Sequence, residues 1–387
     1  MTAEPERERP PSSLLPQPGP EHVAARDLAR QHSPSDSLDA DGAGAGFREA
    51  WKHYADFGVF SLTIPDTDLD VDTVLPTLEG LGEGTPNAGF LLSVGAHSFA
   101  AGAAISRFGG DGQRHVLDLM RDGSAIAAFG ATEPDSGSDV MSLGTRCVAV
   151  DDDYVLDGTK HFITNASLAD YFVIFATKNP KLNYRGVTAF VVPRDAPGLS
   201  VGSPQRLAGL TSCSMCAVHF DSVRVPSSAL LGRPGQGSLV FRHAMLWERS
   251  LLAAMAIGAI RRQLTDMIDI ALDHIRRAES SAGERDVVRP VADIAGRYLT
   301  GRLLVRDTVT KLAAGTLTPA QASLTKLWIS EAELATSHDL TAIDMTKELV
   351  SDWPRAADLL NAIGATIYSG TSDIQRKIIA AELGISQ

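Results

Sequence analysis

The sequence predicts an α+β protein in which a β-rich middle segment separates two helical regions. Three observations carry that expectation. Apolar residues recur at helical spacing from Phe47 to about Arg121. Runs rich in Val, Ile, Phe and Tyr, separated by turn signals, occupy Ala125 to Val225. Long amphipathic stretches then return from about Ser238 to the C-terminus. The boundaries implied are 1–45 for a flexible N-terminal extension, 46–124 for a helical domain, 125–234 for a middle β-domain and 235–387 for a helical bundle.

Residues 1–45 are rich in Pro, Ser, Asp, Glu and Gly, and are expected to be disordered or loosely draped. From Phe47 the spacing of Trp51, Tyr54 and Ala55 predicts a helix that stops at Phe57-Gly58. A second helical region runs from about Val71 to Arg121, broken at Gly109-Gly110 and ended by Asp122-Gly123. Ala125 to Ala131 is a short apolar run. Cys147 to Val150 and Tyr154 to Leu156 flank Asp151-Asp152-Asp153, a hairpin signal. Tyr171 to Phe175, Val187 to Val192, Ala217 to Phe220 and Val223 to Val225 are further strands, whose spacing suits a compact, largely antiparallel domain. Gly232-Arg-Pro-Gly-Gln-Gly237 does not lead from a strand into a dinucleotide-binding pattern and reads as the domain linker. Beyond it, Val291, Ile294, Ala295, Tyr298, Val305, Val309 and Leu312 form one helical stripe, and Thr318-Pro319 opens the next helix as N-cap and first-turn proline.

The chain has 387 residues, 44% of them hydrophobic and 21% charged, the composition of a globular protein with a sizeable core. No apolar run reads as a membrane span, and the charged, Pro-rich N-terminus lacks the apolar core of a secretory signal. Three cysteines cannot build a disulfide framework, which fits a reducing cytoplasm. A net charge of −12 argues against nucleic acid or an anionic membrane as main partner. Cys213-Ser-Met-Cys216 has Cys-x-x-Cys spacing, but no second pair completes a zinc site and His219 is a lone candidate. These read as small core residues, with no metal expected.

Ala127 to Val140 reads Ala-Ala-Phe-Gly-Ala-Thr-Glu-Pro-Asp-Ser-Gly-Ser-Asp-Val. It resembles the Thr-Glu-Pro-Gly-(Ala/Ser)-Gly-Ser-Asp signature of acyl-CoA dehydrogenases, with Asp135 in place of the first Gly. Gly158-Thr-Lys-His-Phe-Ile-Thr-Asn165 is similar to that family's Gly-x-Lys-x-(Trp/Phe)-Ile-Thr-Asn. Ile367-Tyr-Ser-Gly-Thr-Ser-Asp-Ile-Gln-Arg376 resembles its Tyr-Glu-Gly-Thr-Ser-x-Ile-Gln-Arg, and Phe220-Asp-Ser-Val-Arg-Val-Pro226 lies between. The ordered set covers roughly residues 47 to 387. It implies an acyl-CoA dehydrogenase-like fold: an N-terminal helical domain, a middle β-barrel-like domain and a C-terminal four-helix bundle. It also implies FAD. Phe129, Ala131, Thr132 and Ser138 would line the flavin and its phosphates, Phe162 would cover one ring face, and Thr164 would sit near N5. Thr371 and Asp373 would approach from the last helical segment. Ser138, Arg249, Tyr368, Ser369 and Gly370 would contact the substrate.

Desaturating an acyl thioester needs a carboxylate to take the α proton while hydride leaves the β carbon. Where the family usually has Glu, this chain has Ser369, too weak a base. A minority branch, including the isovaleryl-type enzymes, carries the Glu on an earlier helix before an Arg, and Leu246-Trp-Glu-Arg-Ser-Leu-Leu252 is similar. Periodicity singles out Glu248 independently. Phe241, Met245, Leu252, Met255 and Ala259 repeat at spacings of 3 and 4, and Glu248 falls on their stripe. A carboxylate there needs a partner or a raised pKa, either of which suits a general base; the plainer reading is an edge position paired with Arg242, Arg249 or a neighbouring helix.

Two family motifs are altered. His274 to Arg285 replaces an Arg-x-x-Phe-Gly motif that reaches a neighbouring subunit's FAD, and Thr346 to Val350 replaces a Gly-Gly-x-Gly stretch. These departures suggest a specialised natural-product enzyme acting on CoA- or carrier-protein-bound acyl groups. The family resemblance implies an electron-transfer flavoprotein or O2 as reoxidant and a homodimer or homotetramer, and both altered motifs bear on the inter-subunit FAD site. Arg261, Arg262, Arg276, Arg277, Arg285 and Arg289 would offer a docking patch for an acidic carrier or a CoA phosphate; solvated helix faces are the plainer alternative. The competing functions are a flavin monooxygenase or oxidase on the same fold, in which Glu248 is incidental, and a scaffold without FAD.

Overall fold

A computed structural model of the chain describes residues 14–34, 46–64, 69–137, 142–277, 281–344 and 354–385. The helical, β, helical order holds. The N-terminal part comprises α1 (Pro20–Gln31), α2 (Phe47–Phe57), α3 (Val59–Thr63), α4 (Val71–Gly84), α5 (Ala88–Gly95), a π-helical stretch (Ala96–Gly102), α6 (Ala103–Phe108) and α7 (Asp111–Arg121). The strands are β1 (Ala127–Gly130), β2 (Arg146–Val150), β3 (Asp153–Thr164), β4 (Tyr171–Thr177), β5 (Val187–Pro193), β6 (Leu199–Val201), β7 (Met215–Pro226) and β8 (Leu230–Leu231). The C-terminal helices are α8 (Gly237–Arg277), α9 (Ser281–Ala313), α10 (Pro319–Asp344), α11 (Pro354–Ala365) and α12 (Ser372–Glu382).

The described part of the expected N-terminal extension is ordered, which corrects the reading of residues 1–45. His22, Ala25 and Ala29 form a buried face of α1. It lies so close to α4 that a Cβ on Gly80 would sit 2.3 Å from the His22 carbonyl oxygen. His22 pairs with Glu83 at 2.5 Å, and Arg261 of α8 reaches the same carboxylate at 2.9 Å. A face made mostly of alanine carries little hydropathy, so composition hid this helix.

The strands form one sheet in the order β6-β7-β3-β2-β4-β5-β8, with β1 added alongside β4. The expected hairpin joins β2 to β3, and β1 and β4 run parallel. The sheet curls: Tyr154 of β3 and Phe190 of β5, with two strands between them in the order, bring their rings to 5.2 Å. Two cores result. Phe172, Ile174, Phe190, Val218 and Val223 fill the inside of the sheet. Val173, Phe175, Val187 and Val191 face the other way and join the core shared with the helices. Burial on both faces explains why β4 and β5 read as continuous apolar runs.

His97, in the π-helical stretch, ties that helix to the sheet. Its Nδ1 accepts from the Ala127 N–H at 3.0 Å and its Nε2 lies 3.1 Å from the Met120 carbonyl oxygen. Burial lowers its pKa to about 3, so the ring stays neutral. Ala88–Phe108 is long and apolar enough to cross a membrane, a run the composition reading passed over, but it is 94% buried as a core helix. In the C-terminal part the stripe on α9 is buried from Ile294 to Leu312, with Val291 half-buried. Thr318 and Gln321 cap α10 reciprocally, each backbone N–H bonded to the other's side chain.

Candidate active site

The α8 stripe faces the core, with Met245, Leu252 and Met255 buried and Glu248 only 7% exposed. A buried carboxylate needs compensation, and Ser369 Oγ donates to Glu248 Oε1 at 2.8 Å. Burial pushes the Glu248 carboxyl up to about 7, while the Ser369 hydroxyl, Arg249 and Lys326 pull the other way.

The partner comes from the turn between α11 and α12. Ser369 has φ 56° and Gly370 has φ 95°. The Ser369 carbonyl accepts from Arg249 Nε and from Gln375 Nε2, both at 3.1 Å, and Gln375 Nε2 also donates to the Gly370 carbonyl at 2.8 Å. Only glycine suits position 370, because a Cβ would lie 2.7 Å from Gln375 Nε2 on a left-handed backbone. Thr371 then caps α12, accepting from the Ile374 N–H at 3.4 Å. Arg249, Tyr368, Ser369 and Gly370 are thus gathered with Glu248.

Two ionisable residues beside them had no part in the sequence reading. A small cleft between α8, α10 and this turn is lined by Arg249, Leu252, Lys326, Glu333, Tyr368 and Ser369. Lys326 Nζ and Glu333 Oε2 are buried with no hydrogen-bond partner among the described residues. Burial, with Arg249 nearby, lowers Lys326 to about 8; burial, with Asp358 nearby, raises Glu333 to about 7. Their spacing with Ile329 and Ser330 puts them on one core-facing side of α10, the same kind of signal that singled out Glu248.

A second group lies on the sheet. Phe129 leaves β1 half-buried against Phe175 at 5.1 Å and Phe241 of α8 at 6.1 Å, two turns before Glu248. The Thr132 carbonyl accepts from the His161 N–H at 2.9 Å. Between Ala131 and β3 runs a buried ion pair that links the two motifs. Lys160 Nζ donates to Glu133 Oε1 at 2.6 Å and to the Ala131 carbonyl at 3.4 Å. Glu133 also accepts from the N–H groups of Gly144 at 2.6 Å and Thr145 at 3.1 Å. Burial alone would raise the Glu133 pKa, but Lys160 and these donors hold it below its usual value; burial takes Lys160 down to about 8. The motifs named both residues without revealing that they meet.

The β3–β7 register slips between Lys160 and Ile163. This bulge puts Phe162 at φ 55° and leaves it 53% exposed. Thr164 follows, its hydroxyl 3.9 Å from Cys213 Sγ. Ser138 lies outside the described residues. Asp373 joins neither group: it is exposed on α12 and pairs with Arg376 at 3.1 Å.

Four members of the expected arginine patch have described side chains, and each has a carboxylate partner. Arg261 is half-buried on Glu83 and Tyr298, and Arg262 grips Asp358 through two hydrogen bonds, at 2.8 and 3.1 Å. Arg276 and Arg289 pair with Asp273 and Asp293 on their own helices, at 3.4 and 3.5 Å. The side chains of Arg277 and Arg285 lie outside the described residues. Cys213 and Cys216 are buried free thiols.

Residues 128–223 match the acyl-CoA dehydrogenase middle domain and residues 235–384 the acyl-CoA dehydrogenase C-terminal domain. An L-prolyl-[peptidyl-carrier protein] dehydrogenase of Pseudomonas fluorescens is 34% identical, covering 86% of this chain and 89% of that protein. One of Serratia sp. is 32% identical, covering 87% and 89%. The crystal structure of the prolyl acyl carrier protein oxidase AnaB superposes with a TM-score of 0.88 at 29% identity, over 94% of this chain and 98% of that one. The complex of PigA with FAD and proline does so with a TM-score of 0.85 at 29% identity, over 94% and 97%.

Proposed function

Because this chain belongs to the acyl-CoA dehydrogenase family, and is therefore an oxidoreductase, we propose that it dehydrogenates an acyl group of the prolyl type held as a thioester on a carrier protein, with FAD as cofactor and Glu248 as base. The observation that carries the reading is the buried Glu248 carboxylate, aimed by the Ser369 hydroxyl at 2.8 Å on a turn that Arg249 and Gln375 lock in place. Similarity to the two L-prolyl-carrier dehydrogenases supports the substrate class. The likeness to the FAD complex of PigA supports the cofactor.

The residues present fit a flavin. Phe162 is a large aromatic ring held out from the sheet on a left-handed backbone, which a flat ring system would cover. Thr132, whose carbonyl accepts from the His161 N–H next to Phe162, and Thr164, two residues after Phe162, carry hydroxyls that would serve as donors, and Phe129 of β1 packs on Phe241 of α8. When bound, FAD supplies the acceptor for two electrons and one hydrogen as hydride. The second hydrogen leaves the carbon beside the thioester carbonyl as a proton, and Glu248 holds it. At a pKa of about 7 the carboxyl is partly ionised at neutral pH and strong enough to take it.

Anaerobic titration of the FAD-loaded protein tests this. A prolyl thioester on a carrier protein should bleach the flavin band, faster than the CoA thioester. Glu248→Gln should slow bleaching by roughly 10²–10⁴-fold with flavin still bound. A flavin that no thioester bleaches would end the reading. The likeness to a prolyl acyl carrier protein oxidase favours oxygen as reoxidant, and admitting air to the bleached protein answers that separately.

A further inference from the structure

We propose that Ser369, with Lys326 beside it, is the positioning pair that orients Glu248 and keeps it ionised. The proposal rests on Glu248 being the base.

Ser369 Oγ donates to the Glu248 carboxylate at 2.8 Å, and its direction is fixed by more than its own rotamer. Its backbone is in the left-handed region at φ 56°, uncommon for a non-glycine residue. Two donors at 3.1 Å pin its carbonyl and oppose any relaxation. A strained, doubly anchored serine presenting its hydroxyl to a buried carboxylate is built to orient that group. A hydroxyl donating to a carboxylate also favours the charged form.

Lys326 is 5% exposed, and its ammonium takes no hydrogen-bond partner among the described residues. It lies 6.0 Å from the centre of the Tyr368 ring and lines the cleft that Ser369 and Arg249 also line. A buried cation without a partner is costly. What it does there is act through space, where low dielectric lets a charge reach further. Arg249 is already committed to the Ser369 carbonyl and to Ser323 Oγ at 3.2 Å, so its first task is holding the turn. The ionisable groups facing Glu248 are Arg249 from its own helix, Tyr368 from the turn and Lys326 from α10, with Glu333 two turns further along α10. From α5 and the π-helical stretch the sole titratable side chain is His97, turned toward Met120 and Ala127.

The test follows flavin reduction by stopped flow from pH 6 to 9, using the FAD-loaded protein and the prolyl-carrier thioester. Ser369→Ala and Ser369→Gly should slow reduction roughly tenfold or more, and their acid limb should move to higher pH. Ser369→Asn tolerates the left-handed backbone and keeps a donor, so it should recover part of both. Lys326→Met should move the limb in the same direction. Flavin content and melting temperature, read in parallel, separate this from loss of fold. A limb that stays in place in every Ser369 and Lys326 variant, while Glu248→Gln is slow, overturns the pair alone. Wild-type reduction by Glu248→Gln overturns the base assignment and the pair with it.

Discussion

Glu248 concentrates two opposing demands on one side chain. Reaction needs the carboxylate, burial favours the acid, and the balance sits at about 7. Two consequences follow with definite sign. Below about 7 the base is lost to protonation, so kcat/KM should fall roughly tenfold per pH unit on the acid side; a flat profile from pH 5.5 to 8 would remove Glu248 from the chemistry. Stability runs the other way. A carboxyl whose folded pKa is raised above its unfolded value stabilises the fold below the unfolded value and loses that contribution as pH rises through about 7. Glu248→Gln should therefore gain melting temperature relative to wild type at pH 8 and little at pH 5, measured without thioester. Equal shifts at both pH values would mean the charge is offset in the folded state. At this scale the sequence was informative, because a carboxylate on an apolar stripe is visible in one dimension. Its partner was not: Ser369 lies 121 residues away, and its hydroxyl direction depends on a turn whose lock, Gln375, gives no sign of that role in the chain.

Among the elements, the buried Glu133–Lys160 pair ties β3 to the loop that follows β1. Lys160 is fully buried and Glu133 is 6% exposed, so removing one partner strands a charge where water cannot reach it. Lys160→Met should cost about 3–5 kcal/mol and weaken FAD binding, since Lys160 also holds the Ala131 carbonyl. Adding Glu133→Gln should restore part of that loss. Urea denaturation of the two variants checks it; a double variant no better than the single would show that the loop, not the charge, is what fails. The strands themselves were legible from alternation and turn signals, down to the Asp151-Asp152-Asp153 hairpin. The two expected strands Ala217–Phe220 and Val223–Val225 merge into the single β7, since the Asp221-Ser222 break is taken up by a positive φ at Ser222 rather than by a turn. The bulge at Phe162 and the docking of α1 were not legible, because each depends on which neighbour the chain meets.

For the molecule as a whole, the three-part order follows from periodicity, but the contact that sets α8 against the N-terminal helices does not. α4 and α8 cross backbone to backbone. A Cβ on Gly82 would lie 1.8 Å from the Met255 carbonyl oxygen, and one on Gly258 would lie 1.9 Å from that of Glu79. Neither atom is the end of a flexible side chain, so the helices would have to separate. Met255 shares the stripe of Glu248, so separating α4 from α8 would disturb the helix that carries the base. The expected sign is diagnostic. In a helix interior, Gly→Ala ordinarily stabilises by about 0.5–1 kcal/mol. Gly258→Ala should instead destabilise by about 1–3 kcal/mol through overpacking, and slow flavin reduction even where the protein remains folded. Gly296 on α9 supplies the control, because its added Cβ would meet nothing within 4 Å. Gly296→Ala should raise the melting temperature and leave the reduction rate alone. If both variants stabilise, α4 and α8 do not cross at this distance; if only Gly258→Ala fails, the close crossing is what seats α8, and with it the base, against the rest of the fold.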